Sequence, residues 1–328
     1  MMMRAATYHQ FGKAEDVLRI EHLAIPKAGP NQVVVKMFAC GMNPSDTKLR
    51  SGTSRQLTDS WQIPSSDGAG IVHELGSGVP SFHVGQRVWV FNAAFLRPNG
   101  TAAEYCLVED WMVVPLPDTL SFQEGACLGI PVMTAHRCLF SDGELQGKTV
   151  LVAGGAGVVA HYAIQLAKWG GATVITTVSS DEKAHHATLA GADYVINYKK
   201  ENVAYRVDEI TGHQGVDRIV EVDFGANLHL NAQILKPGGV SVMYAYVAAP
   251  NMPLPIPALM SKNITLKFTL IYTITPEQRR QILSDIKVWI AAKKPIFAIA
   301  HEYPLEEVVQ SHLAIEGGQK IGHIILNI

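Results

Sequence analysis

The chain has 328 residues, of which 48% are hydrophobic and 17% charged, so it is long and apolar enough to fold as two domains, and disorder is excluded. Its 27 basic and 29 acidic residues leave a formal charge of −2, and no run of Lys and Arg is longer than two residues. This balance provides no field that would hold a polyanion, so we expect no nucleic-acid partner.

The termini and cysteines predict a soluble protein of a reducing compartment. The N-terminal stretch MMMRAATYHQ lacks the apolar core of a signal peptide, and no window reaches the roughly eighteen apolar residues of a membrane span. The four cysteines form no CxxC pair, which fits neither a disulfide framework nor a structural zinc site. We expect a cytoplasmic protein that does not bind membranes.

Up to about residue 120, the pattern is that of a compact β-rich unit. Short apolar segments such as NQVVVKMFACG, DGAGIVHELG, GQRVWVFN and AAEYCLVED alternate with Gly, Pro, Asn and Asp. Such spacing is typical of several short strands joined by turns.

From about residue 122, strand-like and helical patterns alternate. The runs TVLVAG, ATVITTVS, ADYVINY, VDRIVEV and GGVSVMYAY are separated by ten to fifteen residues of helical periodicity. This alternation predicts a doubly wound parallel sheet with helices on both faces, so the fold class is α/β.

The last sixty residues return to a mixed pattern. One amphipathic helix, PEQRRQILSDIKVWIAAKK, precedes a short strand, the stretch PLEEVVQSHLAIEGG and a final strand GHIILNI. We therefore expect a β-rich domain built from residues 1–121 and 272–328, with a doubly wound domain, 122–271, inserted between them.

The stretch VLVAGGAGVVAHYAIQLAK contains a glycine-rich turn between a strand and a helix. Gly155, Gly157 and Ala160 match the dinucleotide fingerprint G-x-G-x-x-[GA], in which the three positions provide a tight turn, close approach to a pyrophosphate and close helix packing. The helix N-terminus would present unpaired N–H groups to the phosphates. The branched side chain of Val158 stands where the phosphates would approach, which raises the question of cofactor affinity.

The end of the second strand of this unit favours NADPH over NADH. NAD-binding turns carry an acidic residue about 20 positions after the fingerprint, whereas this chain reads TTVSSDEK. Ser179, Lys183 and Tyr198 suit a 2′-phosphate, because Lys and hydroxyl donors favour a dianion. Asp181 argues for NADH, and the Ser-Ser-Asp sequence would also serve as a helix cap.

These motifs together resemble the zinc-free, zeta-crystallin-like quinone oxidoreductases of the medium-chain dehydrogenase/reductase superfamily. The resemblance covers nearly the whole chain and includes ACGMNPSDTKLRSGT, SSDGAGIVHELGSGV, GTAAEYCLV, LSFQEGACLGIPVMTAHRCL, GADYVINYKKEN and LKPGGVSVMYAY. It implies a GroES-like β domain plus a Rossmann domain, with the active site in the cleft between them.

The resemblance also implies roles for individual residues. Asn43 matches the asparagine beside the nicotinamide, Thr134 lies in the segment that lines the cofactor, and Lys48 is a third candidate for the catalytic site. The positions that match cofactor contacts are Ala156, Gly157, Val158 and Val159 at the pyrophosphate, Ser179, Lys183 and Tyr198 at the adenosine phosphate, and Tyr244, Ala245, Tyr246, Phe268, Thr269 and Leu270 at the nicotinamide end.

The chain departs from its relatives at several points. Zinc-binding relatives place a cysteine at Asn43 and G-H-E at residues 65–67, where this chain has Ser-Ser-Asp, so we expect no metal. The adjacent His185 and His186 point about 100° apart on a helix and do not readily chelate one ion. Aromatic residues that follow the NP motif in the family correspond here to Lys48 and Ser54, which alters the substrate pocket.

The resulting hypothesis is an NADPH-dependent, zinc-independent enzyme that transfers hydride to a quinone or a related activated carbonyl or alkene. Quinones are already electrophilic, so positioning the two reactants supplies much of the catalysis. No side chain stands out as a general acid, although Lys48, Asp46 and Asp67 are candidates. The alternatives are a non-catalytic NADPH-binding sensor or structural protein, an enoyl-thioester reductase, and a zinc alcohol dehydrogenase.

We expect a homodimer formed through the Rossmann edge strand near GVSVMYAY.

Overall fold

The computed structural model describes residues 1–245, 252–293, 295–318 and 320–328. The chain divides into two compact units, one made of Met1–Ile130 with Phe297–Ile328 and the other of Pro131–Ile296. Within the described residues, no helix is both long and apolar enough to cross a bilayer.

The first unit is rich in β-structure, as predicted. Its strands are β1 (Met2–Thr7), β2 (Arg19–Ala24), β3 (Gln32–Met42), β4 (Asp67–Leu75), β5 (Arg87–Val90), β6 (Tyr105–Glu109), β7 (Val113–Pro115), β14 (Ile299–Pro304) and β15 (His323–Asn327). Its helices are α1 (Ala14–Val17), α2 (Pro44–Arg50), α3 (Phe122–Ala126) and α11 (Val308–Glu316). The main sheet has the order β14-β15-β3-β4-β5-β7, with β6 also paired to β3.

The long strand β3 organises this unit. It pairs antiparallel with β4, β6 and β15, so the end of the chain is bound to its beginning. Val33, Val35 and Met37 point into a core that they share with Val72 and Val88. The strand ends at Met42, immediately before Asn43 and α2, a short helix that the β-rich pattern did not predict.

The second unit is the predicted doubly wound domain. Its strands are β8 (Thr149–Val152), β9 (Thr173–Val178), β10 (Tyr194–Asn197), β11 (Val216–Glu221), β12 (Leu235–Met243) and β13 (Thr265–Phe268). Its helices are α4 (Met133–Phe140), α5 (Val158–Trp169), α6 (Asp181–Leu189), α7 (Val203–Ile210), α8 (Phe224–Ile234), α9 (Ile256–Ser261) and α10 (Pro276–Ala292). All described pairings in this sheet are parallel, in the order β10-β9-β8-β11-β12-β13.

The five predicted strands are confirmed, and the position of the edge strand is corrected. The segment GVSVMYAY contributes to β12, which pairs with both β11 and β13 and is therefore internal. The edge on this side of the sheet is β13, a short strand that the sequence pattern did not predict.

The unit boundaries also differ from the expected residues 121 and 272. The first crossing lies after Ile130, because α3 packs in the first unit, where Phe122 stacks on Phe38 with ring centroids 4.7 Å apart. The second crossing lies after Ile296, because α10 packs in the second unit. There Asp285 accepts a 2.9 Å hydrogen bond from His136, and Trp289 meets Tyr162 edge to face.

Candidate functional site

The glycine turn joins β8 to α5 at the carboxyl edge of the parallel sheet. Gly154 has φ of +67°, a left-handed conformation that favours glycine, so the tight turn begins one residue before the fingerprint. Gly155 packs directly against Thr176, where a Cβ would overlap the Thr176 hydroxyl. The N–H groups of Gly154 and Gly155 donate to the Thr177 hydroxyl and carbonyl at 3.2 and 2.9 Å, which fixes the turn on β9.

The first turn of α5 leaves backbone donors available. Gly157 is the N-cap, and the first bond inside the helix is donated by the His161 N–H to the Gly157 carbonyl at 2.8 Å. The N–H groups of Val158, Val159 and Ala160 therefore have no partner within the helix. Ala160 is fully buried, as close helix packing requires, whereas Ala156, Val158 and Val159 are half-buried and Gly157 is exposed.

Two of the predicted adenosine-phosphate residues meet at the end of β9. The Lys183 ammonium donates a 3.1 Å hydrogen bond to the Ser179 hydroxyl, and both side chains are half-buried. Tyr198 follows β10, the neighbouring strand, and its side chain is 52% exposed. The carboxylate of Asp181 is paired with Lys200 at 2.8 Å, which lowers the pKa of Asp181.

The predicted nicotinamide-end residues follow β12 and β13 at the same edge of the sheet. The Tyr244 N–H donates to the Glu221 carbonyl at 3.2 Å, and the Thr269 N–H donates to the Met243 carbonyl at 2.8 Å. Ala245 is half-buried, whereas Phe268 and Leu270 expose most of their side chains. Tyr246 lies outside the described residues.

The strand order places a switch point between β8 and β11. Strands β9 and β10 extend the sheet to one side of β8, and β12 and β13 extend it to the other side of β11. Ligands of open parallel sheets bind outside the carboxyl ends of the strands at such a point. The predicted cofactor residues follow the carboxyl ends of five strands of this sheet: the glycine turn follows β8, Ser179 follows β9, Tyr198 follows β10, Tyr244 follows β12 and Thr269 follows β13.

In the first unit, Asn43 is held by two carboxyl groups. Its side-chain Nδ2 donates to Asp67 Oδ2 at 2.8 Å, and its backbone N–H donates to Asp46 Oδ2, also at 2.8 Å. All three residues are buried, with 1% of Asp67 exposed. Asp67 Oδ2 also accepts the Ile130 N–H at 2.8 Å, while Asp67 Oδ1 has no hydrogen-bond partner among the described residues.

Burial changes the protonation of both carboxyl groups. Removal from water raises the pKa of Asp46 to about 7, although the Asn43 N–H opposes this shift. Burial likewise raises the pKa of Asp67 well above its usual range, and the nearby Asp46 charge adds to the shift. Burial thus favours the protonated form of Asp67, whose Oδ2 accepts from both Asn43 and the Ile130 N–H.

The other two candidates for the catalytic site form none of these hydrogen bonds. Lys48 is exposed on α2, whereas Thr134 is buried on α4, which belongs to the second unit. Within the described part of the chain, no group of three or more His, Cys, Asp and Glu side chains has the arrangement to hold a metal ion.

Two family models match the chain. Residues 29–118 match the alcohol dehydrogenase GroES-like domain, and residues 158–287 match the zinc-binding dehydrogenase family. The quinone oxidoreductase of Rattus norvegicus is 33% identical over 332 residues, which cover 99% of this chain and 98% of the relative. The chain belongs to the quinone oxidoreductase family. It is an oxidoreductase of the medium-chain dehydrogenase/reductase superfamily.

Solved structures agree with this membership. An Escherichia coli quinone oxidoreductase complexed with NADPH is 26% identical and covers 99% of this chain and 100% of its own, with a TM-score of 0.87. An NAD-dependent alcohol dehydrogenase is 25% identical and covers 99% of this chain and 100% of its own, with a TM-score of 0.91. This fold is therefore shared by a protein that was crystallised with NADPH and by one that is described as NAD-dependent.

The two hydrogen bonds that hold Asn43 were not predicted from the sequence. Asp46 and Asp67 were expected only as possible acids, not as residues that both bind Asn43. A signal for Asp46 was present, because an Asp three residues after Asn43, with Pro44 between them, has the spacing of a helix N-terminal cap. No comparable signal existed for Asp67, which is 24 residues from Asn43 along the chain.

Proposed function

We propose that the chain is an NADPH-dependent, zinc-independent oxidoreductase that transfers hydride to a quinone or a related activated carbonyl or alkene. The observation that carries the proposal is the pairing of Lys183 with Ser179 at the end of β9, beside a glycine turn that leaves backbone donors free. This combination fits a dinucleotide with a 2′-phosphate.

The charges around β9 support NADPH over NADH. An acidic residue that binds a ribose 2′-hydroxyl must have its carboxylate available, but the Asp181 carboxylate receives both hydrogen bonds of the Lys200 ammonium, at 2.8 and 2.9 Å. Among the described residues, the side chains of Lys183 and Ser179 hydrogen-bond only to each other, and a phosphate dianion would accept from both.

The glycine turn fits the pyrophosphate. A Cβ at Gly157 would meet the Gly154 carbonyl at 3.2 Å and open space elsewhere, so a phosphate can approach this exposed backbone. The N–H groups of Val158 and Val159, together with the helix dipole, would hold the negative charge. When bound, NADPH supplies the hydride; the chain binds and orients it.

The residues at the positions of the zinc ligands support a reaction without metal. Asn43 provides an amide in place of a thiolate, and its Nδ2 is bonded to Asp67. A neutral amide is a far poorer zinc ligand than a thiolate. A quinone delocalises the incoming charge over two oxygens, so it accepts hydride without a Lewis acid and without a strong general acid.

The segment after α2 favours a quinone over an enoyl thioester. Relatives that reduce thioesters are expected to donate a proton from an aromatic hydroxyl in this segment, where the chain has Ser54 on the exposed surface. An aliphatic hydroxyl is a far weaker acid than a phenol.

The test is an acceptor screen with NADPH and NADH side by side. Purified protein is mixed with each cofactor and an ortho-quinone, an enone or an enoyl thioester, and oxidation of the nicotinamide is followed by absorbance. We expect turnover with NADPH and the quinone. We also expect that metal analysis of untreated protein will find no stoichiometric zinc. Protection against thermal unfolding by NADPH without turnover of any acceptor would favour the non-catalytic alternative, and no protection at all would contradict both.

A further inference from the structure

The second unit contains a polar cavity at the end of its sheet opposite to β9 and β10. It has a volume of about 390 Å³ and lies between the C-terminal half of α4, the end of β13 and the start of α10. Its polar lining consists of Arg137, Ser141, Lys267, Thr269, Thr273 and Gln278. This volume lies at the low end of the range for small-molecule sites.

Two cations, Arg137 and Lys267, line this cavity, and Lys267 shares the carboxylate of Asp142 with the buried Arg218. Lys267 and Arg218 both pair with Asp142. Arg218 is 2% exposed, and its second terminal nitrogen donates to the Cys138 carbonyl at 2.7 Å. Lys267 and Arg218 therefore share one negative charge between them.

Arg137 adds a guanidinium to the wall of this cavity. It is half-buried on α4, and among the described residues it forms no ion pair and no side-chain hydrogen bond. Two carboxylates of α10 are already engaged: Asp285 binds His136, and Glu277 binds Arg280. A half-buried guanidinium fork beside excess positive charge favours an oxyanion, which it binds through two parallel hydrogen bonds.

Gln278 provides a further donor in the same wall. Its Oε1 accepts the Thr275 N–H at 3.0 Å as part of the α10 cap, so its NH2 group remains the free end of the side chain. Phe268 and Leu270 add apolar surface to the lining, which suits an organic anion better than a bare ion.

We infer that this cavity binds a small anion through a carboxylate or phosphate group held by Arg137. The site is distinct from the proposed dinucleotide phosphates, because Ser179 and Lys183 follow β9, four strands away from β13 in the sheet. It borders the predicted nicotinamide end, since Phe268, Thr269 and Leu270 belong to both linings. The inference does not depend on the proposed function, since binding is measured without NADPH.

The experiment is calorimetric titration of the full chain with inorganic phosphate and, separately, with succinate, at constant ionic strength set by sodium chloride. The variants are Arg137→Gln, Arg137→Lys and, as a matched control, Arg280→Gln, whose side chain is exposed and pairs with Glu277 outside the cavity. We expect saturable binding of at least one anion, an affinity about tenfold or more lower in R137Q, an intermediate affinity in R137K, and no change in R280Q.

The two anions distinguish a phosphate site from a carboxylate site. Absence of saturable binding of both anions to the wild-type chain would overturn the inference. Binding that is unchanged in both folded Arg137 variants would overturn it as well, because the anion would then lie elsewhere. R137K retains the charge and serves as the test if R137Q fails to fold.

Discussion

The side chain of Asn43 and the carboxyl group of Asp67 are joined by a hydrogen bond of 2.8 Å between Nδ2 and Oδ2, in a place where only 1% of Asp67 is exposed. This bond determines which end of the Asn43 amide is already hydrogen-bonded within the protein. Nδ2 faces Asp67 and the Gly41 carbonyl, so Oδ1 is the end that can accept a hydrogen bond from a ligand. Since both Asn43 and the Ile130 N–H bind one oxygen, Asp67 requires no negative charge for this role.

The variant Asp67→Asn is expected to retain the stability of the wild type, because an amide oxygen replaces Oδ2 and burial favours a neutral group at this position. Asp67→Ala removes the acceptor from two buried donors, and we expect it to lower the free energy of unfolding by about 2 kcal/mol or more. Urea denaturation at neutral pH measures both. An equal loss in D67N and D67A would contradict the neutral state, since it would mean that the carboxylate charge is needed.

The pKa of Asp46 predicts a pH dependence of stability. Its ordinary value is 3.8, and burial raises the pKa to about 7 in the folded protein. Between these values the folded protein binds a proton that the unfolded chain has released, so the contribution of Asp46 to the free energy of unfolding falls as the pH rises from about 4 to about 7.

The variant Asp46→Asn removes this titration. We expect the free energy of unfolding of D46N, minus that of the wild type, to increase through the same window and to level off above it. Denaturation series at several pH values measure the difference. The control is Asp59→Asn, whose side chain is exposed, and its difference should stay flat. A flat difference for D46N as well would show that folding does not raise the pKa of Asp46.

Replacing either fingerprint glycine by alanine is expected to affect the protein differently. In Gly155→Ala the new methyl group meets the buried Thr176 hydroxyl, which itself donates to the Val152 carbonyl at 2.7 Å, so we expect a loss of about 1–3 kcal/mol of stability. Gly157→Ala has ordinary φ and ψ and meets one carbonyl, so its stability should stay within about 1 kcal/mol.

The readout that separates the two is the binding of NADPH, followed by fluorescence titration. We expect G157A to weaken it, because the methyl group occupies the exposed face where the phosphates approach. A G157A protein that binds NADPH as tightly as the wild type would place the pyrophosphate elsewhere, whatever its stability.

Lys183→Gln is expected to raise the KM for NADPH about tenfold or more and to leave the KM for NADH nearly unchanged. The reason is the loss of one charge-assisted contact to the 2′-phosphate, which NADH lacks. Steady-state kinetics with both cofactors measure the ratio. Lys287→Gln, on the exposed face of α10, is the matched control and should change neither value. Equal effects of K183Q on both cofactors would argue for a structural role of Lys183.

The sequence alone predicted the features that depend on neighbours along the chain. Alternating apolar runs and helical periods predicted the parallel sheet, because the two periods are set locally by strand and helix geometry. The glycine turn was recognised for the same reason, since its task is to let strand and helix meet within a few residues. The β-rich pattern of the first unit and the helix Pro276–Ala292 were equally visible.

The tertiary structure decided what depends on distant segments. Asp67 meets Asn43 because β4 and β3 pair antiparallel, a register that no local signal specifies. The strand β13 covers β12 at the edge of the sheet, and α10 packs in the second unit, so both the edge and the boundary shifted from their expected places. The protonation of Asp46 and Asp67 likewise follows from burial, which only the packed fold creates.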